Sequence, residues 1–283
     1  MIDLARREDI GAGDLTAGLL ADPDEPARFE LRVKQPGVVA GLAIVPAVLE
    51  AYDGRLAFVL GDLADGDAVS HPPAAAGAFT GPLGPLLSAE RVALNFVQRL
   101  SGVATLTRAF VDAVAGTQAE IFDTRKTTPG FRLLEKYAVR CGGGHNHRFG
   151  LYDAVLLKDN HLAGVPAARL AACVFDLLNR LLDRQAVSFV EVEVDSLEQF
   201  TALLDVVGID VILLDNFTPD QMREAVRLRN ERGLAGRLAL EASGGIMLPQ
   251  VRAIAETGID RISVGALTHS AAALDIALER VGL

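Results

Sequence analysis

Long apolar runs are missing from this chain, and it has only two cysteines and four lysines. Half of its 283 residues are hydrophobic, yet no stretch of roughly 18 apolar residues occurs, so no transmembrane helix is expected. The opening residues, MIDLARREDIG, have neither a long apolar core nor a small-residue cleavage site, which argues against a secretory signal. Cys141 and Cys173 are too few for a disulfide framework, and a cytoplasmic location is the resulting expectation. A formal net charge of −10 argues against nonspecific nucleic-acid binding.

The basic charge that is present is concentrated. Lys126, Lys136 and Lys158 fall between residues 125 and 158, together with Arg125, Arg132, Arg140 and Arg148 and against only Glu135 and Asp153. His145, His147 and His161 lie in or just beyond that window. An acidic chain with one basic segment points to a small anionic ligand, and an ordinary solvated basic face is the competing reading.

Residues 1–90 are punctuated by Gly-Asp and Asp-Gly pairs with short apolar runs between, as at 38–45 and 56–60, the pattern of a sheet with short helices. The stretch 72–85, with four prolines, reads as a loop or edge segment. Ser88 is a plausible N-cap for a helix whose apolar stripe is Val92, Phe96, Leu100 and Val103. From about 118 a strand-then-helix pattern repeats. Strands are expected at 119–123, 153–157, 188–194, 210–214, 238–242 and 260–264, with helices such as 165–184 and 218–232 between them. That alternation predicts an α/β barrel or an open doubly wound sheet.

The polar clusters follow these strands one by one: Arg125 and Lys126, then Lys158 to His161, then Glu193 and Asp195, then Asp215 and Asn216, then Ser243 to Gly245, then Gly265, Thr268 and Ser270. Barrel enzymes build their active sites at this C-terminal end. Arg125 and Arg148 can each grip a carboxylate or phosphate with two parallel hydrogen bonds. His147, Lys158 and His161 add further donors, and Gly142 to Gly144 permit close backbone approach. A zinc site at Cys141, His145 and His147 is the rival reading, weakened by the absence of paired ligand spacing and by the adjacent arginine. Glu193 and Asp215 are either salt-bridge partners for the arginines or groups that bind Mg²⁺, a ribose hydroxyl or a developing cation. The glycine turns after the last two strands suit a phosphate. The residues alone reach an α/β enzyme with an acid pocket, a phosphate pocket and two carboxylates between.

At these positions the chain resembles the quinolinate phosphoribosyltransferases nearly end to end. The matching blocks are EDIGAGDLT (8–16), ERVALNFVQRLSGVAT (90–105), DTRKTTPG (123–130), CGGGHNHR (141–148), GLYDAVLLKDNH (150–161), EVEVD (191–195), ILLDNF (212–217), EASGGI (241–246) and VGALTHS (264–270). The resemblance implies an N-terminal α/β sandwich over 1–105, rejoined by a C-terminal helix over 270–283, and an open, incomplete α/β barrel over 106–269. It implies a homodimer or higher oligomer in which Arg91 enters the partner's site, and no nucleic-acid or membrane partner. Arg125, His147 and Arg148 match quinolinate-binding positions, and Lys126 and Lys158 match lysines between quinolinate and phosphoribosyl pyrophosphate. Glu193 and Asp215 match the acidic pair near ribose and Mg²⁺. Ser243, Gly244, Gly245, Gly265 and Ala266 match the 5′-phosphate pocket. The implied activity is phosphoribosyl transfer to quinolinate with decarboxylation in NAD biosynthesis, with Mg²⁺ and no organic cofactor. A related group associated with molybdate transport shares the Arg-Lys-Thr-Thr-Pro-Gly core but departs around Lys158 to His161, which this chain retains. A silent anion-binding protein on the same scaffold is disfavoured by Glu193 and Asp215, since a pure anion binder gains nothing from them.

Overall fold

A computed structural model describes residues 1–181 and 187–282. Along the chain come α1 (Ile2–Ile10), β1 (Pro26–Val33), β2 (Gly37–Val38), α2 (Val45–Tyr52), β3 (Ala57–Leu60), β4 (Ala68–Val69), β5 (Ala74–Pro82) and α3 (Leu83–Ala113). Next are β6 (Glu120–Phe122), α4 (Arg132–Cys141), β7 (Val155–Leu157), α5 (Ala167–Leu178), β8 (Val190–Val194) and α6 (Leu197–Leu203). The remainder is β9 (Val211–Asp215), α7 (Pro219–Glu231), β10 (Ala239–Ser243), α8 (Leu248–Ala255), β11 (Arg261–Ser263), α9 (Ala266–His269) and β12 (Ile276–Val281). All six expected strands after 118 are present, four of them shortened and β9 and β10 shifted by one residue. The helix expected over 165–184 ends at Leu178, and its positions 182–184 lie outside the described residues.

The chain divides into two compact units, one of residues 1–108, 128–143 and 270–283, the other of 109–127 and 144–269. The first unit is built on an antiparallel sheet in the order β12-β1-β5-β3. In β1 buried and partly exposed side chains alternate, as expected of a strand with one face on the core. Phe29, Leu31 and Val33 of β1 join Val45, Val48 and Leu49 of α2 and Val92, Phe96 and Val97 of α3 in one hydrophobic cluster.

Three expectations are corrected here. The proline-containing stretch 72–85 includes an interior strand, β5, which pairs with β1 on one side and β3 on the other. Its small residues let a neighbour cross its face: a Cβ on Gly77 would lie 2.5 Å from Phe58 Cε2. Ser88 is not a cap. The helix already begins at Leu83, with Pro85 in the first turn where no donor is needed, and Ser88 Oγ donates to Asp14 Oδ2 at 2.8 Å. The segment 270–283 does return to the first unit, but as strand β12, antiparallel to β1, rather than as a helix. β-branched Ile276 and Val281 open and close that strand, and the whole strand has backbone partners on β1.

The basic window of the sequence is divided between the two units. Arg132, Lys136 and Arg140 belong to the first unit with α4, whereas Arg125, Lys126, Arg148 and Lys158 belong to the second. The second unit is a sheet of six parallel strands in the order β6-β11-β10-β9-β8-β7, with β6 and β7 unpaired to each other, so the barrel is open. At β6 the chain adds one parallel bridge, Phe122 with His145.

The returning segment is held close to α3 in the first unit. A Cβ on Gly102 would lie 2.0 Å from the carbonyl oxygen of Ala272, a backbone atom that cannot swing aside. Gly102→Ala therefore forces the segment off the helix and lowers stability by about 1–3 kcal/mol, as overpacking does. The check is a denaturant melt, and an unchanged midpoint would contradict this close approach.

Candidate active site

Parallel pairing aligns the strand ends. Ser243 is registered with Asp215 between β10 and β9, Glu193 with Leu213 between β8 and β9, and Leu157 with Val192 between β7 and β8. Lys158 follows β7 directly. Since alternate side chains of a strand share a face, Glu191 goes with Glu193, Leu213 with Asp215, and Glu241 with Ser243.

Two cavities open at this edge. The smaller, about 160 Å³, is lined by Arg125, Lys126, His147, Arg148 and Lys158 above Leu156, Leu213, Glu241, Ser243 and Ser263. The turn after β6 carries the first two cations, and it is fastened by Lys126 N–H donating to Thr124 Oγ1 at 3.0 Å and by Thr268 Oγ1 donating to Lys126 O at 2.8 Å. Arg148 is buried, and its Nη1 donates to Ala154 O at 3.3 Å. Burial first, then the charge of Arg125 beside it, push the Arg148 guanidinium below its ordinary value. Two guanidiniums held where each disfavours the other form a site for an anion.

The larger cavity, about 420 Å³, is lined by Asp159, Glu193, Asp195 and Asp215, with Asn160 and Gln199. Lys158 Nζ lies 2.5 Å from Glu193 Oε2, so one ion pair joins the basic cavity to the acidic one. Asp215 Oδ2 accepts from Asn216 Nδ2 at 2.7 Å. Asn216 has φ 56°, a left-handed conformation that asparagine tolerates, and its N–H donates to Ser243 O at 3.0 Å. Gly244, at φ 109°, packs against it, where a Cβ would lie 2.2 Å from Asn216 Oδ1. Gly245 is also left-handed, at φ 57°. Gly265 lies beside the Lys126 side chain, at 3.1 Å from Cδ to a built Cβ, and Ala266 opens α9. Arg91 is an exposed residue of α3 in the first unit.

Beneath the cations lies a group that the sequence reading passed over. Glu191 and Glu241 are fully buried, and both face His147. His147 Nδ1 accepts from Arg148 N–H at 2.8 Å, and its Nε2 lies 2.9 Å from Glu191 Oε2. With Nδ1 as acceptor the ring hydrogen is on Nε2, pointing at Glu191. His147, expected to meet a ligand, thus has both ring nitrogens engaged inside the protein. His147, Glu191 and Glu241 also form a group of a kind that can hold a metal ion, with ligand atoms all within 4.8 Å of one another. In this tautomer, however, the nitrogen facing the carboxyl groups is a hydrogen-bond donor. Cys141 is not part of that group. The available signal was alternation: acids at alternate positions of VEVEV, and one inside ALEAS, share a strand face with residues of the site.

An open parallel barrel with adjoining anion-binding and carboxylate-lined cavities at its strand ends defines an α/β-barrel enzyme acting on anionic substrates. Residues 14–101 match the family model for the quinolinate phosphoribosyl transferase N-terminal domain, and 103–279 match that for the C-terminal domain. The chain belongs to this family. It is 42% identical over 275 residues to the probable nicotinate-nucleotide pyrophosphorylase [carboxylating] of Bacillus subtilis, covering 96% of this chain and 89% of that protein. To the corresponding enzyme of Mycobacterium leprae it is 42% identical over 279 residues, covering 98% and 91%. The crystal structure of NadC from Streptococcus pyogenes superposes with TM-score 0.88 at 38% identity, covering all of this chain and 95% of that one.

The buried acids make stability depend on pH. Burial pushes Glu191 up from 4.5 to about 8, and burial and then the nearby Glu191 push Glu241 up from 4.5 to about 7. A raised folded-state value means that the native state holds the proton more tightly than the unfolded chain. Their contribution is therefore complete below about pH 4.5 and declines as pH rises toward 8, by ~1.4 kcal/mol per pH unit per proton at most. The double variant Glu191→Gln, Glu241→Gln is expected to show a shallower fall between pH 5 and 8 in urea melts than the native chain. Equal slopes would count against the assignment.

Proposed function

We propose that the two adjoining cavities are the acid and phosphoribosyl halves of one transfer site. The chain transfers a phosphoribosyl group from phosphoribosyl pyrophosphate to quinolinate with decarboxylation, giving nicotinate mononucleotide, pyrophosphate and CO₂ in NAD biosynthesis. The observation that carries the residue assignments is the separation of charge: cations around the small cavity, carboxylates around the large one, and the Lys158–Glu193 pair between.

In this reading Arg125 and Arg148 take the carboxylates of quinolinate, whose binding relieves the repulsion between the two guanidiniums. His147 holds the Arg148 backbone in place. As the ring nitrogen attacks C1 of the ribose, positive charge grows on the sugar, and Glu193 and Asp215 face it. Loss of the adjacent carboxylate leaves electron density beside the quaternised nitrogen, within reach of Lys126 or of Lys158 released from Glu193. Ser243, Gly244, Gly245, Gly265 and Ala266 receive the 5′-phosphate on backbone N–H groups. The hard oxygen donors of Glu193, Asp215 and their neighbour Asp195 suit Mg²⁺, which neutralises charge on the departing pyrophosphate when bound. Orientation and electrostatics carry the chemistry without an organic cofactor. Among the described residues no helix is long and apolar enough to cross a membrane, and both cysteines are free, which fits a cytoplasmic setting.

Product formation from quinolinate, phosphoribosyl pyrophosphate and Mg²⁺ tests the reading, with loss of activity in EDTA expected. Nicotinate is expected to be a poor substrate, and efficient turnover of it would remove quinolinate from the assignment. Arg148→Lys keeps the charge but loses the fork, and is expected to weaken quinolinate binding about tenfold or more, the loss of one charge-assisted hydrogen bond of roughly 1.5–3 kcal/mol.

We also propose a homodimer in which Arg91 of one subunit completes the quinolinate pocket of the other. Its exposure on α3 leaves it available for that part. Mixing inactive Arg91→Ala and Lys158→Ala subunits then creates heterodimers with one doubly damaged site and one intact site. Activity is expected to approach half that of a native dimer. Verified heterodimers as inactive as their parents would contradict the shared site.

A further inference from the structure

Glu241 stands out among the groups of the small cavity. It lines that cavity, it is fully buried, and neither of its carboxyl oxygens has a hydrogen-bond partner among the described residues. Among the described residues its one ion-pair contact is with His147, whose Nε2 lies 3.5 Å from Oε1. That contact brings it no hydrogen, because the Nε2 hydrogen goes to Glu191 Oε2 at 2.9 Å. The hydroxyl of Ser263, on the neighbouring strand, donates to Ala242 O at 3.4 Å and is also close enough to the Glu241 carboxyl to favour its charged form. Arg261, registered with Glu241 between β11 and β10, places its guanidinium over the rings of Phe122 and Phe189, at 4.9 and 5.7 Å.

A charged carboxylate in this position would be fully buried with no donor in hydrogen-bond geometry among the described residues, and burial favours the protonated form, while the cations around it pull the other way. A protonated carboxyl has one hydrogen to give and needs an acceptor, and Glu241 is among the residues that line the small cavity. We propose that Glu241 works as a neutral carboxylic acid that donates a hydrogen bond to a carboxylate of the pyridine dicarboxylate held by Arg125 and Arg148. This rests on the reading of quinolinate as the acid substrate, and it adds a residue to the recognition of that substrate. An O–H donor facing a carboxylate is a strong, charge-assisted partner, and it contributes without adding a further cation to a cavity where Arg125 and Arg148 already disfavour each other.

The proton's position agrees with the surroundings. Burial first, and the nearby Glu191 second, raise Glu241 to about 7, while His147, Ser263 and Arg261 pull the other way. Binding a dianion against the O–H group holds that proton more tightly still. Binding is therefore favoured at low pH and weakens as pH rises through the titration of the free protein.

The test is calorimetric titration of the full chain with quinolinate between pH 6 and 9 at constant ionic strength. Both carboxylates of the ligand are ionised throughout this range. The native protein is expected to lose affinity by up to tenfold per pH unit above about pH 7, and to take up a proton on binding near pH 8, seen as a dependence of the heat on the buffer. Glu241→Gln keeps a neutral donor of the same shape, so it should lose the proton uptake and most of the pH dependence, and bind more tightly than the native protein at pH 9. Affinity of the native protein that ignores pH overturns this inference alone, without appeal to any variant. The same slope and proton uptake in Glu241→Gln also overturn it and place the titration on another group. No quinolinate binding at any pH overturns the substrate reading and this inference with it.

Discussion

Parallel pairing with aligned C-terminal ends is the constraint on which the site depends. Lys158, Glu193, Asp215 and Ser243 come from four strands, and each is at or next to its strand's last residue. The register of Ser243 with Asp215 and of Glu193 with Leu213 leaves these side chains no alternative but a common edge. The left-handed Asn216 and the bare face of Gly244 follow from the same constraint. Two chains leave adjacent strands at one point, and only a residue without a Cβ fits against the Asn216 amide.

Electrostatics then separates the site into two halves and links them. Cations gather where strand ends meet the turn after β6, carboxylates where β8 and β9 end, and one ion pair spans the boundary. The cationic half has a buried counterpart. His147 accepts from the Arg148 backbone and faces Glu191, so the guanidinium that meets an anion is tied to carboxyl groups that no solvent reaches. Burying such groups is costly in the charged form, and burial raises both toward the protonated one.

Much of this was legible in the residues. The six short strands and the polar residues after each were visible because buried parallel strands are mostly apolar and β-branched, and polar residues gather where they end. The apolar stripe of α3 was visible because Val92, Phe96, Leu100 and Val103 keep helical spacing and are all buried. The start of that helix was misread because Ser88 has the chemistry of a cap but spends its hydroxyl on Asp14, distant in sequence. β5 was misread because prolines at the ends of a segment look the same whether the segment is a loop or an interior strand. The helix that the resemblance implied for the last segment is a strand, because pairing with β1 holds Ile276–Val281 extended.

The sequence by itself determined the strand count of the barrel, the placement of reactive residues after strands and the family, since these are written in local patterns and in ordered blocks. Tertiary structure decided which of the neighbouring cations belong together. Arg132, Lys136 and Arg140 are close to Arg125 and Arg148 along the chain, yet they fold into the other unit. Tertiary structure also decided that both ring nitrogens of His147 have partners within the protein and that Glu191 and Glu241 are buried beside it. The physical reason is that burial and hydrogen-bond partners are properties of the packed state: an acid alternating with valine is ordinary in a strand until a neighbouring strand closes over it.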